Sequence, residues 1–246
     1  MPAEPQPVVR AAVPADAGPV AAIFAHYVAT SVATFEEIAP TAADWRQRIG
    51  ELAARNLPFL VAEAAPAGAG VAKGSVAEGS VAEGSVAEGS VAEGGGLVCG
   101  FAYASPWRPK SAYRHTVEDT VYLSPGCTGR GIGSALLGTL LAGCAAAGAR
   151  QVIAVIADTG SDASAALHRR FGFTQAGLLS GVGRKHGRWI DTLLMQKELE
   201  PPDEHRIQRR GAQLASTPGQ AAGRGAPGDG GAAAAARTPG PARSGH

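Results

Sequence analysis

The stretch "CTGRGIGSALL", Cys127 to Leu137, sets glycines at alternate positions, Gly129, Gly131 and Gly133, and then turns aliphatic. A glycine fixed in a helix or strand costs about 0.5–1 kcal/mol relative to alanine. Three of them just ahead of a helical stretch therefore ask for a return. The usual return is close approach of the backbone to a ligand, and at a helix start that ligand is commonly a phosphate, held by N–H groups and the positive end of the helix dipole. On the near side of the loop, Thr116 to Ser124 reads as a strand running into it. On the far side, Leu136, Leu137, Leu140, Leu141 and Cys144 form one helical stripe. "RQVIAVIAD" (Arg150 to Asp158) is then a continuous apolar run, as expected for a strand covered on both faces. Strand, helix and strand with a short return make a βαβ unit, with parallel pairing and a right-handed crossover.

Ahead of this unit, "PVVRAAV" (Pro7 to Val13) reads as a strand, and Asp16 stands where a helix N-cap belongs. Val20, Ile23, Phe24, Tyr27 and Val28 follow at helical spacing, and a second helix from about Thr41 carries Trp45, Ile49 and Leu52 on one face. "PFLVAEA" (Pro58 to Ala64) and "GLVCGFAYAS" (Gly96 to Ser105) are strands. After the βαβ unit come a helix from about Asp162 to Phe171, stopped by Gly172, and two strands, Gln175 to Arg184 and Trp189 to Lys197, turning at His186-Gly187.

Between the two strands ending at Ala64 and starting at Gly96 lie four copies of a five-residue unit, "GSVAEGSVAEGSVAEGSVAEG", Gly74 to Gly94. Solenoid repeats have periods of about 20 residues or more, each burying part of a core. A unit with one valine cannot do so, and the segment from 70 to 95 reads as a solvated linker inside a strand–strand loop. Residues 1–7 and 200–246 read as disordered, the latter being rich in Gly, Ala, Pro and Arg without periodicity. One folded domain, residues 8–199, remains.

Of the 246 residues, 45% are hydrophobic and 17% charged, with a formal net charge of +1. That is ample apolar material for a core and no basic excess for nucleic acid. Three cysteines lack metal-ligand spacing and read as reduced thiols of a cytoplasmic protein. The apolar segment Ser134 to Ala149 is too short to span a bilayer and is broken by Gly138 and Gly143, so no membrane is implied.

Three phosphate loops compete for the glycines. The nucleoside-triphosphate loop needs a Lys-Ser/Thr pair after its last glycine, and here Ser134-Ala135 follows Gly133. The dinucleotide fingerprint G-x-G-x-x-G fails at Ser134, counted from Gly129. The third is the acetyl-CoA pyrophosphate loop, Q/R-x-x-G-x-G/A, of GNAT-type N-acetyltransferases. Thr128-Gly129-Arg130-Gly131-Ile132-Gly133 fits it except at its first position, where Thr128 replaces Gln or Arg. "TFEE" (Thr34 to Glu37), "FAYASPWRPKSAYRHTVEDTVYLSP", "GRGIGSALL", "LHRRFGF" (Leu167 to Phe173) and "GRKHGRWID" (Gly183 to Asp191) occur in the same order as in the phosphinothricin and methionine-sulfone acetyltransferase branch of that superfamily. From about Val9 to Leu199, omitting the repeat, the chain resembles that branch.

The resemblance implies an α/β GNAT fold: a mixed, mostly antiparallel sheet with a splayed parallel strand pair around the βαβ unit and helices on both faces. It implies acetyl-CoA as co-substrate and no metal. Main-chain groups at Val121 and Leu123 would hold the pantetheine arm. Thr128, Gly129, Arg130, Gly131, Gly133 and Ser134 would cradle the diphosphate, with Ser161 at a CoA contact where relatives have Asn. Glu118 would be the general base, its pKa raised by burial on the strand, with Asp119 on the opposite face. His168 stands where relatives place a thiolate-protonating Tyr, or a His. Arg108, Lys110 and Tyr113 would grip the acid groups of an amino-acid substrate, and Phe35 would pack on its aliphatic part. "KHGRWID" would be a hairpin with Trp189 buried, contributing to a homodimer. The implied reaction is direct transfer to the α-amine of a small acidic amino-acid analogue in a ternary complex. A polyamine, aminoglycoside or protein N-terminal acceptor, or a non-catalytic acyl-CoA-binding module, stays open on the residues alone.

Overall fold

The computed structural model describes residues 7–64 and 96–200. Backbone contacts divide the chain into Met1–Asp203 and Glu204–His246, and the second unit lies outside the described residues. So do most of the expected N-terminal tail, the repeat from 70 to 95 and the C-terminal tail.

The first strand, β1 (Val8–Ala11), leads into helix α1 (Ala17–Thr30). Asp16 occupies the N-cap position, but its carboxylate accepts from the Val13 N–H and from Arg10, not from the first turn of α1. Helix α2 (Ala42–Ala54) opens with a reciprocal capping box between Thr41 and Asp44. Trp45, Ile49 and Leu52 are its buried stripe, as their spacing requires. Strands β2 (Phe59–Ala64) and β3 (Leu97–Pro106) pair antiparallel, and β3 pairs antiparallel with β4 (Thr116–Leu123). Helix α3 (Ile132–Ala146) carries the chain over to β5 (Gln151–Ala157), which pairs parallel with β4. Helix α4 (Ala163–Arg170) and the hairpin of β6 (Thr174–Lys185) and β7 (Arg188–Glu198) complete a seven-stranded sheet of order β1-β2-β3-β4-β5-β7-β6. The hairpin turns at His186 and Gly187, both at positive φ, the geometry that matches strand twist in a two-residue loop.

The sheet separates two cores. One is built on α3, with Leu136, Leu137 and Leu140 wholly buried against Ala102, Val117 and Val152. The other holds α1 and α2 against β2, β3 and β4 through an aromatic cluster of Phe24, Trp45, Phe101 and Tyr122. Residues of β4 therefore alternate between the cores: Val117 goes to the α3 side and Tyr122 to the α1–α2 side.

Two expectations are corrected. β5 is covered on both faces only through Val152, Ile153 and Ala154, while Val155 is 41% exposed. Its apolar run continues past the helices that shield it. Trp189 is 69% exposed, because its neighbour along the hairpin, Ile190, is the one turned into the protein.

Candidate active site

The parallel ladder runs from Thr116 opposite Gln151 to Asp119 opposite Ala154 and stops. Both strands continue. β4 stays bonded to β3 as far as Leu123, and β5 stays bonded to β7 as far as Ala157. The two strands therefore part beyond Asp119, and a cleft of about 640 Å³ opens between them. Its walls include Glu118, Val121 and Leu123 of β4, Val155 and Ile156 of β5, and Thr128, Gly133, Ser161 and His168 at the α3 and α4 side.

The register decides which main-chain groups face this gap. The Ser124 N–H donates to the Cys99 carbonyl, so in the β3–β4 ladder the even-numbered β4 residues exchange bonds with β3. The N–H and C=O groups of Val121 and Leu123 are turned the other way, past the last residue paired with β5. One of them already has a partner: the Leu123 carbonyl accepts the Tyr27 hydroxyl at 2.7 Å. Tyr27 is thus a positioning residue of the cleft that its apolar helical spacing hid, since the spacing accounted only for its ring.

At the mouth of the cleft, Gly129 and Gly131 both hold φ of +76°, a left-handed conformation that other residues adopt only at a cost. A Cβ on either would meet nothing, whereas one on Gly133 would touch Leu167 at 3.4 Å, an ordinary contact. The first two glycines are thus explained by conformation and the third by the backbone's nearness to the cleft it lines. The Ala135 N–H is the first to bond back into α3, on the Gly131 carbonyl, so the N–H groups at the helix start, Ser134 included, point outward. Arg130 is exposed beside them. Thr128 uses its hydroxyl on the Pro125 carbonyl at 3.4 Å. Ser161 accepts the Ala163 N–H at 3.3 Å in the turn before α4. Outward N–H groups, a basic side chain and left-handed glycines at one helix start suit a diphosphate, and the unpaired edge of β4 suits an amide-bearing arm beyond it.

Glu118 lies on the α1–α2 face of β4, half-buried in the cleft wall. Burial pushes its carboxyl up, the neighbouring Asp119 charge adds to this, and Arg108 opposes it. Asp119 points to the opposite face, where its Oδ2 is 2.9 Å from His168 Nε2, with both side chains buried. The other ring nitrogen, Nδ1, donates to the Ser164 carbonyl at 2.7 Å. Burial lowers the His168 pKa, but Asp119 and Ser164 outweigh it and the net direction is up. With an acceptor at each nitrogen, His168 has none free for a substrate. Phe173 sits edge-on to the ring at 4.9 Å. The alternation along β4 that sets Asp119 on the opposite face from Glu118 is the signal in the sequence that it turns toward α4.

Phe35 lines the cleft and packs over Gly183, where a Cβ would run into its ring. Arg108, Lys110 and Tyr113 do not line this cleft. With Trp107 they form a separate shallow depression in the β3–β4 connection, where the Arg108 guanidinium stacks 4.9 Å from the Trp107 ring centre. Arg108 reaches Glu118 only through its charge. Among the described residues no cluster of three His, Cys, Asp or Glu could hold a metal.

A parallel pair that splays over a cleft, with a glycine-led helix at its mouth and a half-buried carboxylate in its wall, is the arrangement that the resemblance to GNAT-type N-acetyltransferases implies. The model of the acetyltransferase (GNAT) family matches residues 78–173. A phosphinothricin N-acetyltransferase of Alcaligenes faecalis is 41% identical over 184 residues, covering 75% of this chain and 78% of that one. An L-methionine sulfoximine/L-methionine sulfone acetyltransferase of Pseudomonas aeruginosa is 42% identical over 106 residues, 43% of this chain and 61% of that protein. Among solved structures, a GNAT superfamily phosphinothricin acetyltransferase from Sinorhizobium meliloti in complex with AcCoA aligns with a TM-score of 0.65 and 36% identity, over 81% of this chain and 95% of that chain. The chain belongs to the GNAT acetyltransferase family.

Proposed function

We propose that this protein transfers acetyl from acetyl-CoA to the α-amine of a small acidic amino-acid analogue of the phosphinothricin, methionine sulfone or methionine sulfoximine type. The observation that carries the reading is the parting of β4 and β5 beyond Asp119, which sets Glu118 and the outward main chain of Val121 and Leu123 on one cleft. The names of the relatives supply the acceptor class. Acetyl-CoA supplies an activated thioester when bound. The loop from Thr128 to Ser134 holds its diphosphate, Ser161 flanks it, and the main chain of Val121 and Leu123 holds its arm.

Glu118 takes the proton from the acceptor amine, directly or through one water. Its raised pKa brings its basicity closer to the working pH, where a general base is most effective. His168 lends Asp119 and α4 a fixed position rather than passing a proton to the substrate. Phe35 packs on the acceptor's aliphatic part, and Arg108, Lys110 and Tyr113, outside the cleft, attract its acid groups. The exposed apolar residues Leu178, Leu179, Val182 and Trp189 of the terminal hairpin support a homodimer, and the buried thiols of Cys127 and Cys144 support a cytoplasmic setting.

The test is CoA-thiol release from acetyl-CoA with phosphinothricin, methionine sulfone, methionine sulfoximine, a polyamine and an aminoglycoside. Turnover of the first three and not the last two is the expected result. Turnover of a polyamine or aminoglycoside alone would keep the transferase and move the acceptor. CoA binding with no acetylated amine would leave a binding module.

A further inference from the structure

The cleft wall holds a cation that the sequence pattern did not single out. Arg48 lies on α2 one turn after Trp45 and lines the cleft together with Phe35, Glu36 and Glu118. Its guanidinium carbon is 4.9 Å from the Trp45 ring centre and 5.8 Å from that of Tyr103. Its Nη1 donates to the Tyr103 hydroxyl at 3.3 Å. Two rings and one hydrogen bond hold the plane of the group in place before any ligand arrives, which lowers the entropy lost on binding an anion.

Among the described residues Arg48 has no ion pair, although its charge helps to hold the Asp44 carboxyl below its ordinary value. Among the described residues, the arginine ion pairs are those of Arg10 and Arg169. Asp44, four residues earlier on α2, is committed to the N–H and hydroxyl of Thr41. Glu36 is exposed on the same wall and is not within ion-pair distance of Arg48 among the described pairs. A guanidinium carries five donors, and most of those on Arg48 remain available.

Register puts its partner Tyr103 on the same face of the sheet as Glu118, and both line the cleft with Arg48. Tyr103 stands opposite Thr120, and Glu118 stands two residues further along β4 on the same face. Such diagonal neighbours are about 7 Å apart. A group docked on Tyr103 therefore lies one small-molecule span from the carboxylate that receives the amine proton. An α-amino acid presents its amine and its carboxylate across such a span.

We propose that Arg48 binds the carboxylate of the acceptor, so that the acceptor lies between Arg48 and Glu118 with its amine toward Glu118. The assignment rests on acetyl transfer to an acidic amino-acid analogue, and it moves the primary anion contact from Arg108 and Lys110, outside the cleft, to the cleft wall.

The experiment compares L-methionine sulfone with its methyl ester, which keeps the amine and the sulfone and loses the charge. Steady-state acetylation is measured with the full chain, with Arg48→Gln and with Arg48→Lys, and binding of the same two compounds is followed by calorimetry in the presence of CoA. Wild type is expected to favour the acid. Arg48→Gln is expected to raise KM for the acid by about 10–100-fold, the size of a lost charge-assisted contact, with kcat much less affected and the ester losing far less than the acid. Arg48→Lys, which keeps the charge and loses the planar fork, is expected to recover part of the preference. Equal losses on acid and ester in Arg48→Gln, with wild type turning over the acid, would overturn the Arg48 assignment and leave the acidic-acceptor reading standing. Failure of wild type to bind or acetylate the acid would overturn both.

Discussion

The two halves of the parallel pair are built from the same strands and do opposite things. In the closed half, Thr116 to Asp119 against Gln151 to Ala154, main-chain groups bond each other and Val117 and Val152 are buried in the α3 core. In the open half, Val121 and Leu123 turn their main chain to a cleft and Val155 is exposed. The difference lies in the ladder itself: main-chain bonds join the pair up to Asp119 and Ala154, and beyond them β4 stays joined only to β3 and β5 only to β7. Glu118 and Asp119 sit at the junction, one on each face, and each face uses its carboxylate differently. Glu118 is half-buried and its pKa is raised. Asp119 is buried and bonded to His168.

Removing Glu118 should have the largest effect. Glu118→Gln is expected to lower kcat/KM for the acceptor by about 10²–10⁴-fold, the usual contribution of a general base, with KM for acetyl-CoA little changed. Stability should move the other way. A carboxyl whose folded pKa is raised makes folding less favourable as pH rises through that value, because the unfolded chain ionises more easily. The variant should therefore melt higher than wild type at neutral pH and show no gain below the unfolded carboxylate value of 4.5. A stepwise pair of pH–rate and pH–melting curves checks both halves. Full activity in the variant would remove the base from Glu118.

The opposite face is tested by Asp119→Asn. The His168 pKa is raised above its ordinary value of 6.5, so the pair's stabilisation is fully present below 6.5 and is lost as pH climbs through the raised folded value. Wild type should exceed the variant by about 1–3 kcal/mol in denaturant unfolding at mildly acid pH, in the range of a charged hydrogen bond, and the margin should shrink toward alkaline pH. A margin that grows with pH would mean that His168 is neutral in the folded protein. The imidazole nitrogen shifts of His168 report the same proton directly.

The glycine loop offers a narrower contrast within six residues. Gly131→Ala places a side chain at φ +76° and should cost about 1–2 kcal/mol, while Gly133→Ala meets only an ordinary contact with Leu167 and should cost little stability. If the backbone at Gly133 lies against acetyl-CoA, its methyl group should raise KM for acetyl-CoA more than it lowers the melting temperature. Equal behaviour of the two variants in both measurements would remove the distinction between a glycine needed for conformation and one needed for approach.

Much of this was legible in the residues. The α2 stripe of Trp45, Ile49 and Leu52, the α3 stripe and the His186-Gly187 turn follow from spacing and turn chemistry, which act locally. The parting of β4 and β5 came from resemblance alone, because nothing in "TVEDTVYL" or "QVIAVIA" marks where a ladder ends. Trp189 was misjudged because burial depends on which neighbour along the hairpin turns inward, and Ile190 does. Arg48 escaped notice because a cation on a helix's mixed face reads as solvated. Its role depends on Tyr103, 55 positions away, whose side chain only the folded sheet brings beside it.

Tyr27 shows the smallest and most discriminating form of that long-range effect. Its ring belongs to the helical stripe, but its hydroxyl crosses 96 positions to the Leu123 carbonyl in the open half of the strand pair. Tyr27→Phe keeps the ring and removes one hydrogen bond, worth about 0.5–1.5 kcal/mol net, so denaturant unfolding should show a loss of that size. If the bond also keeps the free end of β4 in place, KM for acetyl-CoA should rise by a few-fold, and kcat should stay close to wild type because Glu118 is on the closed side of the junction. A stability loss without any change in KM would mean that the open half needs no such tether, and that packing on α3 alone holds β4 where the strands part.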